Sequence, residues 1–288
     1  MKPNLNPKIY GLIGYPVKHS LSPAMHSAAF RKLKVKGVYL LFETPGGGLE
    51  KTIDKIRLMD VAGFNVTLPY KEEIIPYLDR LDQQASRIGA VNTVLNKGGK
   101  LIGYNTDGSG FIASLKSGLK FNSKNKRIFI LGAGGAARAI GFALAKEGAR
   151  SIAFSDIKNE RAKKLAGDIS KIFDGCNTFV APSVKHQAAS IGEIDLLVNA
   201  SSCGMKKNDP LPVEPKLLPK DAVVYDIIYN PSPTQLVKSV RARGIKAVNG
   251  LGMLLCQGAL AFEIWTNKKA PLVSMRQALL RALHGKSG

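Results

Sequence analysis

Short apolar runs alternate with amphipathic or polar stretches through the first hundred residues, the pattern of an α/β layer structure. The predicted strands there are residues 9–14, 38–43, 63–68 and 90–95. A helix is predicted to begin at Ser22, whose hydroxyl can cap free backbone N–H groups, with Pro23 at the tolerated first helical position. Its apolar face would be Met25, Ala28, Ala29 and Leu33. The polar, basic stretch 121–126 reads as a linker, and a second unit follows it with a β-α-β-α rhythm. Its strands are predicted at residues 128–131, 152–155, 196–199 and 223–226, which implies a doubly wound parallel sheet. Asn159 is placed to cap a helix with Ala162, Leu165, Ala166, Ile169 and Phe173 on its core face and Arg161, Lys163 and Lys164 in water. After Gly250 the residues Leu254, Leu255, Phe262 and Trp265 predict two more helices.

The 288 residues, 45% hydrophobic and 22% charged, describe a soluble globular chain long enough for two domains. No apolar run approaches the roughly 18 residues of a membrane span, and the opening MKPNLNPKIYGLIGYPV lacks a basic flank followed by an apolar stretch. An uncleaved cytoplasmic protein is expected. Cys176, Cys203 and Cys256 are far apart and lack ligand spacing, so neither a disulfide framework nor a metal site is supported. Charge changes the picture more, because 42 Lys+Arg against 21 Asp+Glu leave +21, a field that favours anionic partners. The basic residues are dispersed. Their densest stretches, at 32–36, 124–127 and 161–164, lack interleaved aromatics for base stacking, which favours small anions over nucleic acid.

One motif is specific in context: the strand at 128–131 runs through Gly132-Ala133-Gly134-Gly135-Ala136-Ala137 into a helix, fitting G-x-G-x-x-A. Gly132 permits the turn, Gly134 lets backbone approach a pyrophosphate, and Ala137 allows close helix packing, while the helix N-terminus supplies donors and positive potential. Asp156 closes the next strand, where a carboxylate accepts from ribose hydroxyls and repels a 2′-phosphate; NAD is therefore favoured. Lys158 could swing toward such a phosphate and leaves NADP open.

In the first unit, strands deliver Asn65-Val66-Thr67-Leu68-Pro69-Tyr70-Lys71, Asn92-Thr93 and Tyr104-Asn105-Thr106-Asp107 to loops. Lys71 and Asp107 form the candidate acid/base pair for oxidising a hydroxyl. Ser20 and Ser22, just before a helix N-terminus, suit a carboxylate. Gln257 is a polar residue in an apolar helix and requires a buried partner.

Together the motifs PVKHSLSPAMH, NVTLPYK, IGAVNTV, GYNTDGSGF, LGAGGAARA, NASSCGM, YDIIYNPSPT and GLGMLLCQGALAFEIW resemble, in order and over nearly the whole chain, the shikimate dehydrogenase family with its quinate/shikimate members. The resemblance implies a two-lobed α/β fold: a discontinuous substrate-binding and catalytic domain, residues 1–107 with 252–288, and a Rossmann dinucleotide-binding domain, residues 108–251. It implies reversible hydride transfer between the C3 hydroxyl of shikimate and NAD(P), giving 3-dehydroshikimate. Ser20, Ser22 and Tyr229 would hold the substrate carboxylate, Thr67, Asn92 and Gln257 the ring hydroxyls, Lys71 and Asp107 would flank the reacting hydroxyl, and Gly250 and Met253 would lie near the nicotinamide. Asp156-Ile157-Lys158 stands where NADP-dependent members typically carry Asn-Arg-Thr, a second feature pointing to NAD. Quinate is the alternative substrate. Alternatives of another class are a non-catalytic cofactor-binding sensor and a basic nucleic-acid-binding protein. The expected partner is the small-molecule substrate, without nucleic acid or membrane, in a monomer or homodimer.

Overall fold

A computed structural model describes residues 6–181, 193–206 and 208–285. Residues 1–5 of the opening stretch lie outside the described residues. The chain divides into two compact units, Met1–Thr106 with Leu254–Gly288, and Asp107–Met253.

The first unit carries β1 (Lys8–Gly14), α1 (Ser22–Lys32), β2 (Gly37–Glu43), α2 (Leu49–Leu58), β3 (Gly63–Val66), β4 (Arg80–Leu81), α3 (Gln83–Ile88), β5 (Thr93–Lys97) and β6 (Lys100–Tyr104). Its sheet runs β2-β1-β3-β5-β6-β4. β1 is parallel to β2 and β3, whereas β5 is antiparallel to both β3 and β6. The β5–β6 hairpin, which the apolar pattern did not predict, turns on Gly98 and Gly99 at φ 61° and 82°, angles that glycine adopts without strain. One face buries Ile53, Ile56, Phe64, Val66, Ile74, Ala85, Val91 and Val94. β4 is parallel to β6, so the sheet is mixed with β5 alone running against the other strands.

The second unit begins with α4 (Asp107–Leu119) and continues through β7 (Arg127–Leu131), α5 (Gly135–Lys146), β8 (Ser151–Ser155), α6 (Asn159–Ser170), β9 (Asn177–Val180), β10 (Leu196–Asn199), β11 (Val223–Asp226), α7 (Gln235–Arg241) and β12 (Lys246–Asn249). The sheet order β12-β11-β10-β7-β8-β9 is all parallel and reproduces the 3-2-1-4-5-6 order of doubly wound nucleotide-binding sheets. The stretch 121–126 lies inside this unit, because α4 packs on α5: a Cβ on Gly108 would stand 2.7 Å from the Ala139 carbonyl oxygen. Two capping expectations also change. Ser22 is the first helical residue of α1, Leu21 precedes it, and no side chain caps the helix. Asn159 likewise opens α6 behind Lys158 without capping it. The core face of α6 is as expected, with Ala162, Leu165, Ala166 and Ile169 buried, while Phe173 lies beyond the helix end.

α8 (Leu251–Thr266) and α9 (Leu272–His284) complete the α-helices among the described residues. Among the described residues, no helix is long and apolar enough to cross a membrane. From α8, Trp265 lays its indole over Gly63, where a side chain would overlap it, and donates Nε1–H to the Val94 carbonyl at 2.9 Å. Beside it His26 of α1 is fully buried, stacks on Tyr39 with centroids 4.6 Å apart and planes at 6°, and has no hydrogen-bond partner at either ring nitrogen. Burial holds its pKa down to about 3, so the ring is neutral.

The unfolded chain protonates a histidine near pH 6.5, whereas the folded His26 resists until about 3. Its contribution to stability is full above pH 6.5 and is lost as pH falls from 6.5 toward 3. In urea titrations across that window, the stability of His26→Leu is expected to gain on the wild type by about 1.4 kcal/mol per pH unit. Parallel pH dependences of the two proteins would refute this.

Candidate active site

In the first unit the polar residues collect where β3 and β6 end and the antiparallel β5 begins. The Thr67 N–H donates to the Ile13 carbonyl at 2.9 Å, and the Tyr70 N–H to the Thr67 carbonyl at 2.9 Å, closing a turn after β3. The absence of a side chain at Gly14 leaves room for the Thr67 methyl. Lys71 follows, half-buried, and its carbonyl accepts from the Val91 N–H at 2.7 Å, which ties this turn to the segment entering β5. Asn92 is 2% exposed and satisfied on both sides of its amide. Its Oδ1 accepts from the Thr106 N–H at 2.8 Å, and its Nδ2 donates to Thr106 Oγ1 at 2.9 Å and to Gln257 Oε1 at 3.2 Å. Gln257 thereby has the buried partner its place in an apolar helix requires, and its Nε2 donates to the Leu254 carbonyl at 3.0 Å. Asn65, the neighbour of these groups, was quoted within a motif but not singled out; it donates to the Asn92 carbonyl at 3.1 Å and to Thr93 Oγ1 at 3.2 Å.

Ser20 and Ser22 also belong to this unit. The Ser22 N–H donates to Ser20 Oγ at 3.2 Å, so Ser20 supports the start of α1, and the Ser22 hydroxyl is not spent as a cap. Asp107 is buried and opens α4 in the second unit, directly after Thr106.

In the second unit β7 passes into α5 through Gly132 at φ 99°, whose N–H donates to the Ser155 carbonyl at 2.7 Å. A Cβ there would stand 2.8 Å from the Ala200 carbonyl oxygen, so glycine is required by the fold. Gly134, in contrast, has open space within 4 Å of a would-be Cβ and lies at an ordinary φ of −82°. No side chain caps the α5 N-terminus, which leaves its first N–H groups for a ligand. Asp156, at the end of β8, accepts from the Ala133 N–H through Oδ2 at 2.7 Å and from the Lys158 N–H through Oδ1 at 2.8 Å. Lys158 and Ile157 are exposed, the latter at 98%. These features fit a dinucleotide: an open glycine turn, uncapped donors and an acceptor at the next strand's end.

Two further polar residues that were not singled out hold the remaining loops. Asp226 is fully buried and accepts from Asn199 Nδ2 at 3.0 Å, the Ile228 N–H at 3.1 Å and Thr234 Oγ1 at 2.7 Å. Burial raises its pKa while these three donors oppose the rise. Asn199 also donates to the Cys203 carbonyl at 3.0 Å, and its Oδ1 accepts from Ser201 Oγ at 2.7 Å. This network fixes the segment leading to Tyr229, which is half-buried. Gly250, whose N–H donates to the Ile228 carbonyl at 3.1 Å, leaves no room for a Cβ against Ile227, and Met253 is buried.

A doubly wound sheet with this turn, joined to a second α/β unit presenting buried amides and hydroxyls, defines a Rossmann-type dinucleotide-binding protein with a separate substrate-binding unit. The sequence profile of the shikimate dehydrogenase substrate binding domain matches residues 12–94, and that of the shikimate 5′-dehydrogenase C-terminal domain matches residues 250–280. A shikimate dehydrogenase (NADP(+)) of Caldanaerobacter subterraneus subsp. tengcongensis is 44% identical over 273 residues, covering 93% of this chain and 95% of the relative. A crystal structure of a shikimate dehydrogenase in complex with NADP+ superposes with TM-score 0.88 at 40% identity, covering 96% of each chain. A quinate dehydrogenase from Corynebacterium glutamicum in complex with NAD gives 0.87 at 31% identity, covering 96% of this chain and 99% of its own. The chain belongs to the shikimate dehydrogenase family.

The two glycines separate folding from ligand binding. Gly134→Ala should fold with wild-type thermal stability yet lose about tenfold or more in dinucleotide affinity, because its methyl enters the space a pyrophosphate needs. Gly132→Ala should instead lose about 1–3 kcal/mol of stability. Thermal melts and cofactor titration of both variants check this; equal behaviour would sink it.

Proposed function

We propose that this protein catalyses the reversible oxidation of shikimate at its C3 hydroxyl to 3-dehydroshikimate, with NAD as the preferred partner. The observation that carries the reaction is the set of buried polar groups in the first unit, fixed by one another through Asn65, Asn92, Thr106 and Gln257. Ser20 and Ser22 at the start of α1, with Tyr229, bind the substrate carboxylate, the serines aided by the positive end of the helix. Thr67, Asn92 and Gln257 receive the ring hydroxyls. Lys71 takes the proton of the C3 hydroxyl as the C–H bond breaks, and Asp107 assists by stabilising the cationic form of that amine. A bound nicotinamide dinucleotide supplies the acceptor for the departing hydride. In the reverse direction Lys71 returns the proton to the oxygen of the ketone.

Support for NAD comes from Asp156. With one backbone N–H on each oxygen, the carboxylate retains lone pairs that can accept both ribose hydroxyls, and its charge opposes a 2′-phosphate. Ile157 offers no positive charge to offset that repulsion. The relative named for NADP(+) makes cofactor choice the point where this chain would diverge within the family. Quinate is a second reading, favoured by the likeness to an NAD-bound quinate dehydrogenase.

Initial rates with NAD and NADP, each with shikimate and with quinate, test the proposal directly. The highest kcat/KM is expected for NAD with shikimate; silence with all four pairs would overturn the reaction, and an NADP preference the cofactor assignment. Lys71→Ala should lower kcat by about 10²–10⁴-fold. In Asp156→Asn/Ile157→Arg the NADP-to-NAD ratio of kcat/KM should rise about tenfold or more, as repulsion is replaced by a cation.

A further inference from the structure

We infer that Tyr39, on strand β2, is a positioning residue for shikimate binding: its hydroxyl sets the direction of a buried hydrogen-bond chain through Asn65 and Thr93 that orients Asn92 toward Gln257. The inference rests on the substrate roles just proposed for Asn92 and Gln257. Tyr39 itself is assigned no contact with substrate.

Sheet register places Tyr39 beside Tyr10 of β1, which lies beside Gly63 of β3. Asn65 is two residues beyond Gly63 and so shares its face. Tyr39 spans β1 and donates its hydroxyl to Asn65 Oδ1 at 2.7 Å. That bond and the Asn92 carbonyl, which can only accept, together decide which way the amide points. With Oδ1 occupied by a donor, Nδ2 faces the Asn92 carbonyl at 3.1 Å and Thr93 Oγ1 at 3.2 Å. Because the Thr93 hydroxyl accepts from Asn65, its own proton is left for Asn92 Oδ1 at 3.1 Å, nearer than Thr106 Oγ1 at 3.3 Å. With Oδ1 held from one side by Thr93 and from the other by the Thr106 N–H at 2.8 Å, Asn92 turns Nδ2 to Thr106 Oγ1 and Gln257 Oε1. Every link donates in the same sense, the arrangement in which neighbouring bonds polarise one another.

The members up to Gln257, which is half-buried, are shielded from water: Tyr39 is 7% exposed, Asn65 5%, Thr93 0%, Asn92 2% and Thr106 4%. A rotated amide would therefore leave a buried group without its partner. The tyrosine ring is itself aimed by its surroundings. It stacks on His26 at 4.6 Å and is tilted against Trp265 at 6.3 Å. Since His26 makes no hydrogen bond, it serves as an apolar plate that fixes the phenol without competing for its proton.

Tyr39→Phe in the intact enzyme removes the first donor and retains the ring. Its KM for shikimate should rise about fivefold, the equivalent of one buried hydrogen bond, with KM for NAD unchanged. Combining it with Thr93→Val, which breaks the same chain at its middle, should give a shikimate KM no higher than that of the weaker-binding single variant. An unchanged shikimate KM, an equal rise in both KM values, or additive effects would overturn the inference, since a general loosening of the fold moves both substrates alike. If Tyr39→Phe does not fold, Thr93→Val alone carries the same expectation, and an unchanged shikimate KM there is equally decisive. Wild-type protein inert toward shikimate would instead sink the proposed function.

Discussion

Asn65 within β3 and Asn92 just before β5 are buried to 5% and 2% exposure, and everything around the proposed substrate groups depends on their amides being satisfied. A buried amide without partners costs about 1–3 kcal/mol, a large part of a domain's stability. The antiparallel pairing of Asn65 with Thr93 and of Thr93 with Tyr104 solves this by setting donors opposite acceptors. A slip of one residue would turn each side chain to the other face of the sheet. The hydrogen-bonding groups and the strand register therefore enforce one another, and donors proposed to bind substrate are held before substrate arrives.

The second unit meets a different constraint. Its first βα turn must present N–H groups outward, so the turn cannot use them for its own support. Asp156 supplies that support from the neighbouring strand, since its carboxylate holds the Ala133 and Lys158 N–H groups. Asp226 does the corresponding work between β10, β11 and α7, joining Asn199, Ile228 and Thr234 at one buried carboxylate. In each case an acidic residue at a strand end organises the loops beyond it, and the parallel sheet brings all of these ends to the same edge.

Much of this was legible in the sequence because long apolar runs and glycine signals speak for themselves. The strands at 196–199 and 223–226 lie at the predicted positions, and the glycine turn sits between strand and helix as expected. The strands that escaped are short or peripheral. β9 alternates between exposed and half-buried residues, and β12 has a single buried residue, so neither leaves an apolar run to find. β6 was overlooked although Gly98-Gly99 is a hairpin signal, because the run at 100–104 mixes lysine, glycine and tyrosine among only two aliphatics. At α1 the cap expectation failed because the helix starts one position earlier than a Ser22 cap requires: Ser22 is already helical, and its own N–H donates to Ser20 Oγ two residues back. Asn65, Thr93, Asn199 and Asp226 carry a general signal, a polar residue inside an apolar strand run, but their partners are distant in sequence and only the fold identifies them.

Family membership and cofactor choice rest on different parts of the molecule. The sheet order, the turn at Gly132 and the helix behind it depend on buried residues and backbone geometry, which relatives at about 40% identity share. The proposed selection between NAD and NADP falls on the end of β8, where Ile157 and Lys158 are exposed. Substitutions there alter charge without disturbing the fold, so the cofactor can change while the reaction is kept. Asp156 is the exception, since it both braces the turn and faces the proposed ribose. Replacing it by asparagine keeps one acceptor oxygen and forfeits the other, which couples a change of cofactor to a weaker turn. The negative charge proposed to favour NAD is thus also the charge that braces the glycine turn.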